Sequence, residues 1–226
     1  MSAIGGRFVS EEAVERGSYR YAYLLVTLLT LIVIHPFLAG ERPRPGLSGA
    51  LTLAIFLAAL WAVAGERRIR IIALLLALPA IADNLLAVAV PRDRPFLLGI
   101  VFGILFSGFI TAVIFRGVVT SAQVTRDALY GAITAYLMLG LTWAWSYGLV
   151  DQLWPGSFRS LTSADGHLVS SEYLFLSFVT LTSVGYGDIV PLGGHARSLA
   201  MLEAIAGQMY LAIFMARLVG LYSQRR

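Results

Sequence analysis

The chain has no cysteine and no lysine, and only 13% of its 226 residues are charged. Without cysteine there is no disulfide framework and no thiolate metal site. A soluble domain carries about 25% charged residues, so the charge deficit excludes an ordinary soluble globular protein. The lack of lysine makes all seventeen basic residues arginine. This bias points to a GC-rich, bacterial coding sequence rather than to a nucleic-acid-binding surface, and no nucleic-acid partner is expected. The first twenty residues hold Glu11, Glu12 and Glu15 and lack an apolar run, so they are not read as a secretory signal. No nucleophile–base pair and no His/Asp/Glu cluster has the spacing of a catalytic or metal site, so neither an enzyme nor a bound cofactor is expected.

What the chain does have is apolar length: 58% of it is hydrophobic. Six stretches approach the ~20 apolar residues needed to span a bilayer: about 21–38, 48–64, 71–90, 96–115, 128–150 and 196–222. The fold class expected is an all-α membrane protein of six transmembrane helices. Pro36 and Pro79 lie inside spans, where neighbouring helices can accommodate a kink. With the N-terminus inside, the cytoplasmic side holds Arg7, Arg16, Arg20, Arg67, Arg68, Arg70, Arg116, Arg126, Arg225 and Arg226. Arg42, Arg44, Arg92, Arg94, Arg159 and Arg197 lie outside. This modest positive-inside bias puts both termini in the cytoplasm and the chain in the inner (plasma) membrane. Four residues follow Tyr222, so no cytoplasmic ligand-binding domain is expected.

Between spans five and six the pattern changes. Residues 154–170 are polar, with turn signals at Pro155-Gly156 and Asp165-Gly166. Residues 171–181 are apolar but reach only about 16 Å as a helix, too short to span and suited to a re-entrant segment. Ser170 or Ser171 is placed to cap it, and Glu172 suits the positive end of its dipole. This helix leads directly into Thr180-Leu181-Thr182-Ser183-Val184-Gly185-Tyr186-Gly187-Asp188. Gly185 and Gly187 permit left-handed backbone, so consecutive carbonyls of Ser183, Val184, Gly185, Tyr186 and Gly187 can point one way. Stacked rings of such carbonyls replace the hydration shell of a potassium ion. One copy cannot surround an ion, so a homotetramer embedded in membrane lipid is expected, with K+ as the permeant ion.

On these residues, 128–222 resembles the pore domain of bacterial six-transmembrane potassium channels, a pore-loop family. The resemblance implies a domain plan: a cytoplasmic tail (1–20), a four-helix voltage-sensor-like unit (21–116), a linker (117–127) and a pore domain (128–226). It implies that Ser183 supplies a hydroxyl and a carbonyl to the innermost ion site and that Val184, Gly185 and Tyr186 supply carbonyls above it. It also implies that Thr182, Tyr186 and Asp188 hold the filter from behind, and that Gly207 is the inner-helix hinge. Ser183 departs from the family's usual threonine. Gly207, Leu211, Met215 and Val219 share a slowly drifting helical stripe, which places Leu211 and Met215 in the cavity or against lipid.

Two acids lie at membrane depth, where an ionisable group is a functional hypothesis by default. Glu203 either braces the filter through the re-entrant helix or pairs with Arg197 without a role in conduction. Asp83, beside Asn84, either fixes the helix bundle or senses a proton or ligand; His35 and Arg92 lie at comparable depth. His167 and His195 are loop residues with no expected metal. Trp143, Trp145 and Trp154 suit membrane edges. The fourth span carries no internal arginine, so strong voltage gating is not expected. The function expected is passive, potassium-selective conduction. The alternatives are a non-conducting sensor or accessory subunit with a pore-like fold, and a cation transporter, which would show inverted repeats.

Overall fold

The computed structural model describes residues 20–38, 45–63, 65–89, 97–121, 125–161 and 168–223. The N-terminal tail, Arg42, Arg44, Arg92, Arg94 and residues 162–167, with Asp165-Gly166 and His167, lie outside them. The chain runs α1 (Arg20–Leu38), α2 (Pro45–Ala62), α3 (Arg67–Ala89), α4 (Leu97–Thr120), α5 (Arg126–Leu153), β1 (Phe158–Ser160), α6 (Ser170–Leu181), β2 (Ile189–Pro191) and α7 (Gly194–Ser223). Among the described residues, four segments are long and apolar enough to cross a membrane: Arg67–Leu86, Leu97–Thr120, Arg126–Leu153 and Gly194–Arg217. Tyr21–His35 and Gly49–Ala62 are shorter apolar helices. The protein is therefore a multi-pass membrane protein.

Local chemistry explains these elements. Several hydroxyls inside the apolar helices find partners within the same helix, which satisfies them in a lipid environment. Thr27, Thr30, Ser107, Thr111, Thr142 and Ser146 each donate a hydroxyl to the carbonyl four residues back at 2.8 Å. Thr125 caps α5, its Oγ1 accepting from the Ala128 N–H at 3.1 Å, and Asp127 sits in the first turn near the positive end of the dipole. Pro79 is carried inside α3 without interrupting it.

Two boundaries differ from the sequence expectation. Helix α4 runs on to Thr120, so only residues 121–125 separate α4 from α5 rather than 117–127. Neither Ser170 nor Ser171 caps α6. Val169 is its N-cap, without a side-chain cap bond, and Glu172 turns back so that Oε2 accepts from the Val169 N–H at 2.8 Å. A carboxylate three residues into the helix reaches this free amide, and that removes the need for a serine cap.

One hydrophobic core joins the N-terminal helices to the C-terminal ones. It contains Leu24, Phe56, Phe106, Ile110, Met138 and Tyr210, drawn from α1, α2, α4, α5 and α7. Helix α4 is central because it presents small residues for close packing, as membrane helices do. A Cβ at Gly103 would lie 3.2 Å from the Trp145 ring, and one at Gly99 would lie 2.2 Å from Asp83 Oδ2. A smaller cluster of Tyr147, Phe158, Leu176, Ile189 and Ala196 supports the β1–β2 ribbon. The ribbon is antiparallel, pairing Phe158 with Pro191, Arg159 with Val190 and Ser160 with Ile189. The Leu161 N–H extends it to the Asp188 carbonyl at 2.8 Å. The ribbon thus holds the chain where it leaves the 182–188 segment.

Candidate functional site

Helix α6 ends at Leu181, and the next four residues fold their amides back onto it, Thr182 N–H donating to the Phe178 carbonyl at 3.1 Å. Ser183 N–H donates to the Thr180 carbonyl at 2.9 Å; Val184 and Gly185 N–H both donate to the Val179 carbonyl, at 2.9 and 3.3 Å. Every second residue then adopts a left-handed backbone: φ is 59° at Ser183, 58° at Gly185 and 82° at Gly187. The glycines were legible from sequence. Ser183 was not, since a non-glycine residue seldom adopts positive φ. A serine fits this conformation better than a β-branched threonine would, because β-branched residues there are true outliers. The segment is open in the single chain, Val184 being 54% and Tyr186 72% exposed.

The three residues expected behind the segment do other things within one chain. Thr182 Oγ1 donates to the Phe178 carbonyl at 2.6 Å. Asp188 Oδ1 accepts from its neighbour Ile189 N–H at 3.1 Å. Tyr186 lies parallel to Phe175, with ring centroids 6.1 Å apart.

Support comes instead from α5 and α7. Glu203 is completely buried. It accepts from the Tyr147 hydroxyl of α5, and Ser177 of α6 lies 2.5 Å from its Oε1. Ser177 Oγ also lies 2.7 Å from the Gly140 carbonyl of α5. One acid on α7 therefore ties α5 and α6 to it, at the helix that leads into the segment. Arg197 is directed elsewhere, its Nε donating to the Pro191 carbonyl at 3.2 Å. Tyr136 adds a hydroxyl that donates to the Leu181 carbonyl at 3.1 Å.

Gly207 lies beneath this same carbonyl. A Cβ on Gly207 would be 2.2 Å from Leu181 O and 3.1 Å from its carbonyl carbon. In this structure Gly207 is a seat for the backbone of α6, and α7 runs unbroken through it. The following residue, Gln208, is exposed, and its Nε2 donates to Ser183 Oγ at 2.9 Å. At about 3.6 residues per turn, Gln208, Ala212, Met215 and Val219 share one face, with Leu211 at its margin and Gly207 turned inward. Leu211, Met215 and Val219 are 42%, 57% and 63% exposed in the single chain.

At the other end of α7, Arg217 Nη2 donates to the Ser121 carbonyl, just past α4, at 2.6 Å. Tyr210 donates to the Ala132 carbonyl of α5 at 2.6 Å. Asp83 is buried beside a cavity of about 690 Å³ formed with Pro79, Leu86, Leu97, Gly99 and Gln152. His195 stacks on Trp154 with centroids 4.2 Å apart. Among the described residues no group of three or more His, Cys, Asp or Glu is placed to hold a metal ion.

Tyr147, Ser177, Gln208, Tyr136 and Arg217 carry these contacts, and the sequence reading assigned them none. Gln208 had a signal available: it is an uncharged polar residue in the middle of an apolar helix. Tyr147 and Ser177 had none: a serine hydroxyl in an apolar run ordinarily bonds its own helix, and a tyrosine there reads as core or membrane-edge packing.

A long helix, a short helix entering a left-handed glycine turn, and a second long helix braced against that turn define a pore-loop ion channel domain. Comparison with known proteins agrees. A family profile described as "Ion channel" matches residues 133–224. Protein LctB of Bacillus caldotenax is 32% identical over 125 residues, covering 54% of this chain and 92% of that relative. Protein LctB of Geobacillus stearothermophilus is 33% identical over the same shares. The inward rectifier potassium channel Kirbac3.1 of Paramagnetospirillum magnetotacticum is 28% identical over 100 residues, covering 44% of this chain and 27% of that relative. No solved structure matches significantly. The chain belongs to the pore-loop ion channel family.

Proposed function

We propose that the protein is a potassium-selective channel that conducts passively through a homotetrameric pore lined by the carbonyls of Ser183, Val184, Gly185, Tyr186 and Gly187. The observation that carries this reading is the backbone of 183–187. The amides of Ser183, Val184 and Gly185 are engaged with α6, and left-handed angles alternate along the segment. The carbonyls are then what remains to face an ion; irregular backbone at membrane depth is tolerated where it is buried in protein or lines a water-filled path, and Val184 and Tyr186 are exposed. The string Val184-Gly185-Tyr186-Gly187 supports potassium over sodium, as does the relationship to Kirbac3.1, a protein named for potassium conduction.

In this reading six helices cross the cell's inner membrane, α1 to α4 form the sensor-like unit and α5 to α7 the pore. Both termini are cytoplasmic, and the 183–187 segment faces outward. Glu203 stabilises the filter within each subunit through Tyr147 and Ser177, and Thr182 and Asp188 stabilise it where subunits meet. Gly207 sets the inner-helix packing, and Leu211 and Met215 face the cavity. No cofactor is required. Purified protein in liposomes is expected to pass potassium and rubidium and to exclude sodium. Equal potassium and sodium flux overturns the selectivity. No flux of either ion, from a folded tetramer, favours the accessory-subunit reading.

A further inference from the structure

We propose that Gln208 is a positioning residue that weakens the hold of the innermost ion site by donating its amide N–H to the Ser183 hydroxyl oxygen. The proposal rests on the potassium-channel reading above. Three observations support it. Gln208 Nε2 lies 2.9 Å from Ser183 Oγ, across a sequence separation of 25 positions. The reach depends on Gly207, whose missing side chain lets α7 lie so close to α6 that a Cβ would be 2.2 Å from Leu181 O. Finally, Gln208 is exposed, whereas Glu203 and Tyr210 on the same helix are buried. An amide turned toward lipid would be costly. Its face, shared with Ala212, Met215 and Val219, therefore suits a water-filled path.

The chemistry follows from the donor inventory. A serine hydroxyl has one hydrogen and two lone pairs. The Gln208 N–H occupies one lone pair and points its positive end at the oxygen that an ion would use. The donor therefore competes with the cation. It also fixes the rotation of a hydroxyl that lacks the methyl of the family's usual threonine. In a tetramer this happens four times at one site. The amide thus adjusts how tightly the last site holds an ion before release, without touching the carbonyl sites above.

The test is unitary conductance in planar bilayers as a function of symmetric potassium concentration, for wild type, Gln208→Met, Ser183→Ala and the double variant. Methionine keeps the length of glutamine and removes the donor. The half-saturating potassium concentration of Gln208→Met should fall two- to ten-fold, about the effect of one ordinary hydrogen bond. The double variant should match Ser183→Ala alone, because Gln208 acts only through that hydroxyl. Packing alone would shift Gln208→Met equally in both backgrounds, and that result overturns the proposal. So does an unchanged or higher half-saturating concentration in Gln208→Met. If Gln208→Met does not assemble, Gln208→Asn, which keeps the amide but falls one methylene short of Ser183, must give the same fall. Wild-type protein that conducts no potassium removes the channel reading and this proposal with it, whereas a conducting wild type with an unaltered variant removes the proposal alone.

Discussion

Ser177 owns one hydroxyl hydrogen and sits between two acceptors, the Gly140 carbonyl at 2.7 Å and Glu203 Oε1 at 2.5 Å. The arrangement works only if position 203 keeps a polar group of glutamate's size. Glu203→Gln can give an amide hydrogen to Ser177 and still accept from Tyr147, so it should fold and assemble as wild type does. Glu203→Leu leaves the buried Tyr147 hydroxyl without its acceptor, at a cost of about 1–3 kcal/mol. It should lower the thermal unfolding midpoint in detergent clearly below that of Glu203→Gln; equal midpoints would assign the network no weight. Gly185 makes a second residue-scale case. Its φ of 58° costs a residue with a side chain about 1–2 kcal/mol, repeated in each subunit. Nothing lies within 4 Å of the position a Cβ would take in the single chain, so the penalty is one of backbone angle. Gly185→Ala should therefore fold but lose potassium flux in liposomes, and unchanged flux would count against the assigned backbone role.

Among the elements, α4 invites comparison with a voltage sensor. A charge crossing the whole membrane field is worth about 2.3 kcal/mol per 100 mV, and steep gating takes about 3–4 such charges per subunit. Helix α4 spans Leu97–Thr120, and Arg116, near its end, is its one charged residue. Its centre is committed to packing, with Phe106, Ile110 and Ile114 buried. Open probability should therefore change little with potential. A steep conductance–voltage curve with several gating charges per subunit would contradict this. The helices themselves were legible because uninterrupted apolar runs have few other ways to exist. Their tertiary contacts were not. Arg217 meets Ser121 across 96 positions and Tyr147 meets Glu203 across 56, and no local periodicity encodes such pairs. The depth of Glu203 was readable by counting residues; the identity of its partners was not. The Ser170/Ser171 cap failed as an expectation because two rules competed at one helix end and the Glu172 side chain reached the free amide.

For the whole molecule, the unsatisfied surface is the informative part. Val184 and Tyr186 are exposed on the candidate site itself, and Met201, Leu202, Ile205, Met209 and Met215 are each more than half exposed along α7. Lipid can cover the helix, but it cannot complete a carbonyl ring. The protein should therefore be a homotetramer, by mass measured in lipid-supplemented mild detergent. A monomer that still conducts would refute this. Gly207→Ala gives a sharper version: its Cβ would strike the backbone of Leu181, and no side-chain rotamer relieves a clash with backbone. The variant should lose tetramer and flux together.

The seat at Gly207 also fixes how movement passes through the protein. Most helices touch through side chains, which absorb small shifts by changing rotamer. Here the Gly207 backbone sits against the Leu181 carbonyl, with the Leu181 side chain beside it. A tilt or roll of α7 at Gly207 should press directly on Leu181, and two residues beyond Leu181 is Ser183. Movement of α7 at this joint is therefore expected to be felt at the candidate ion path.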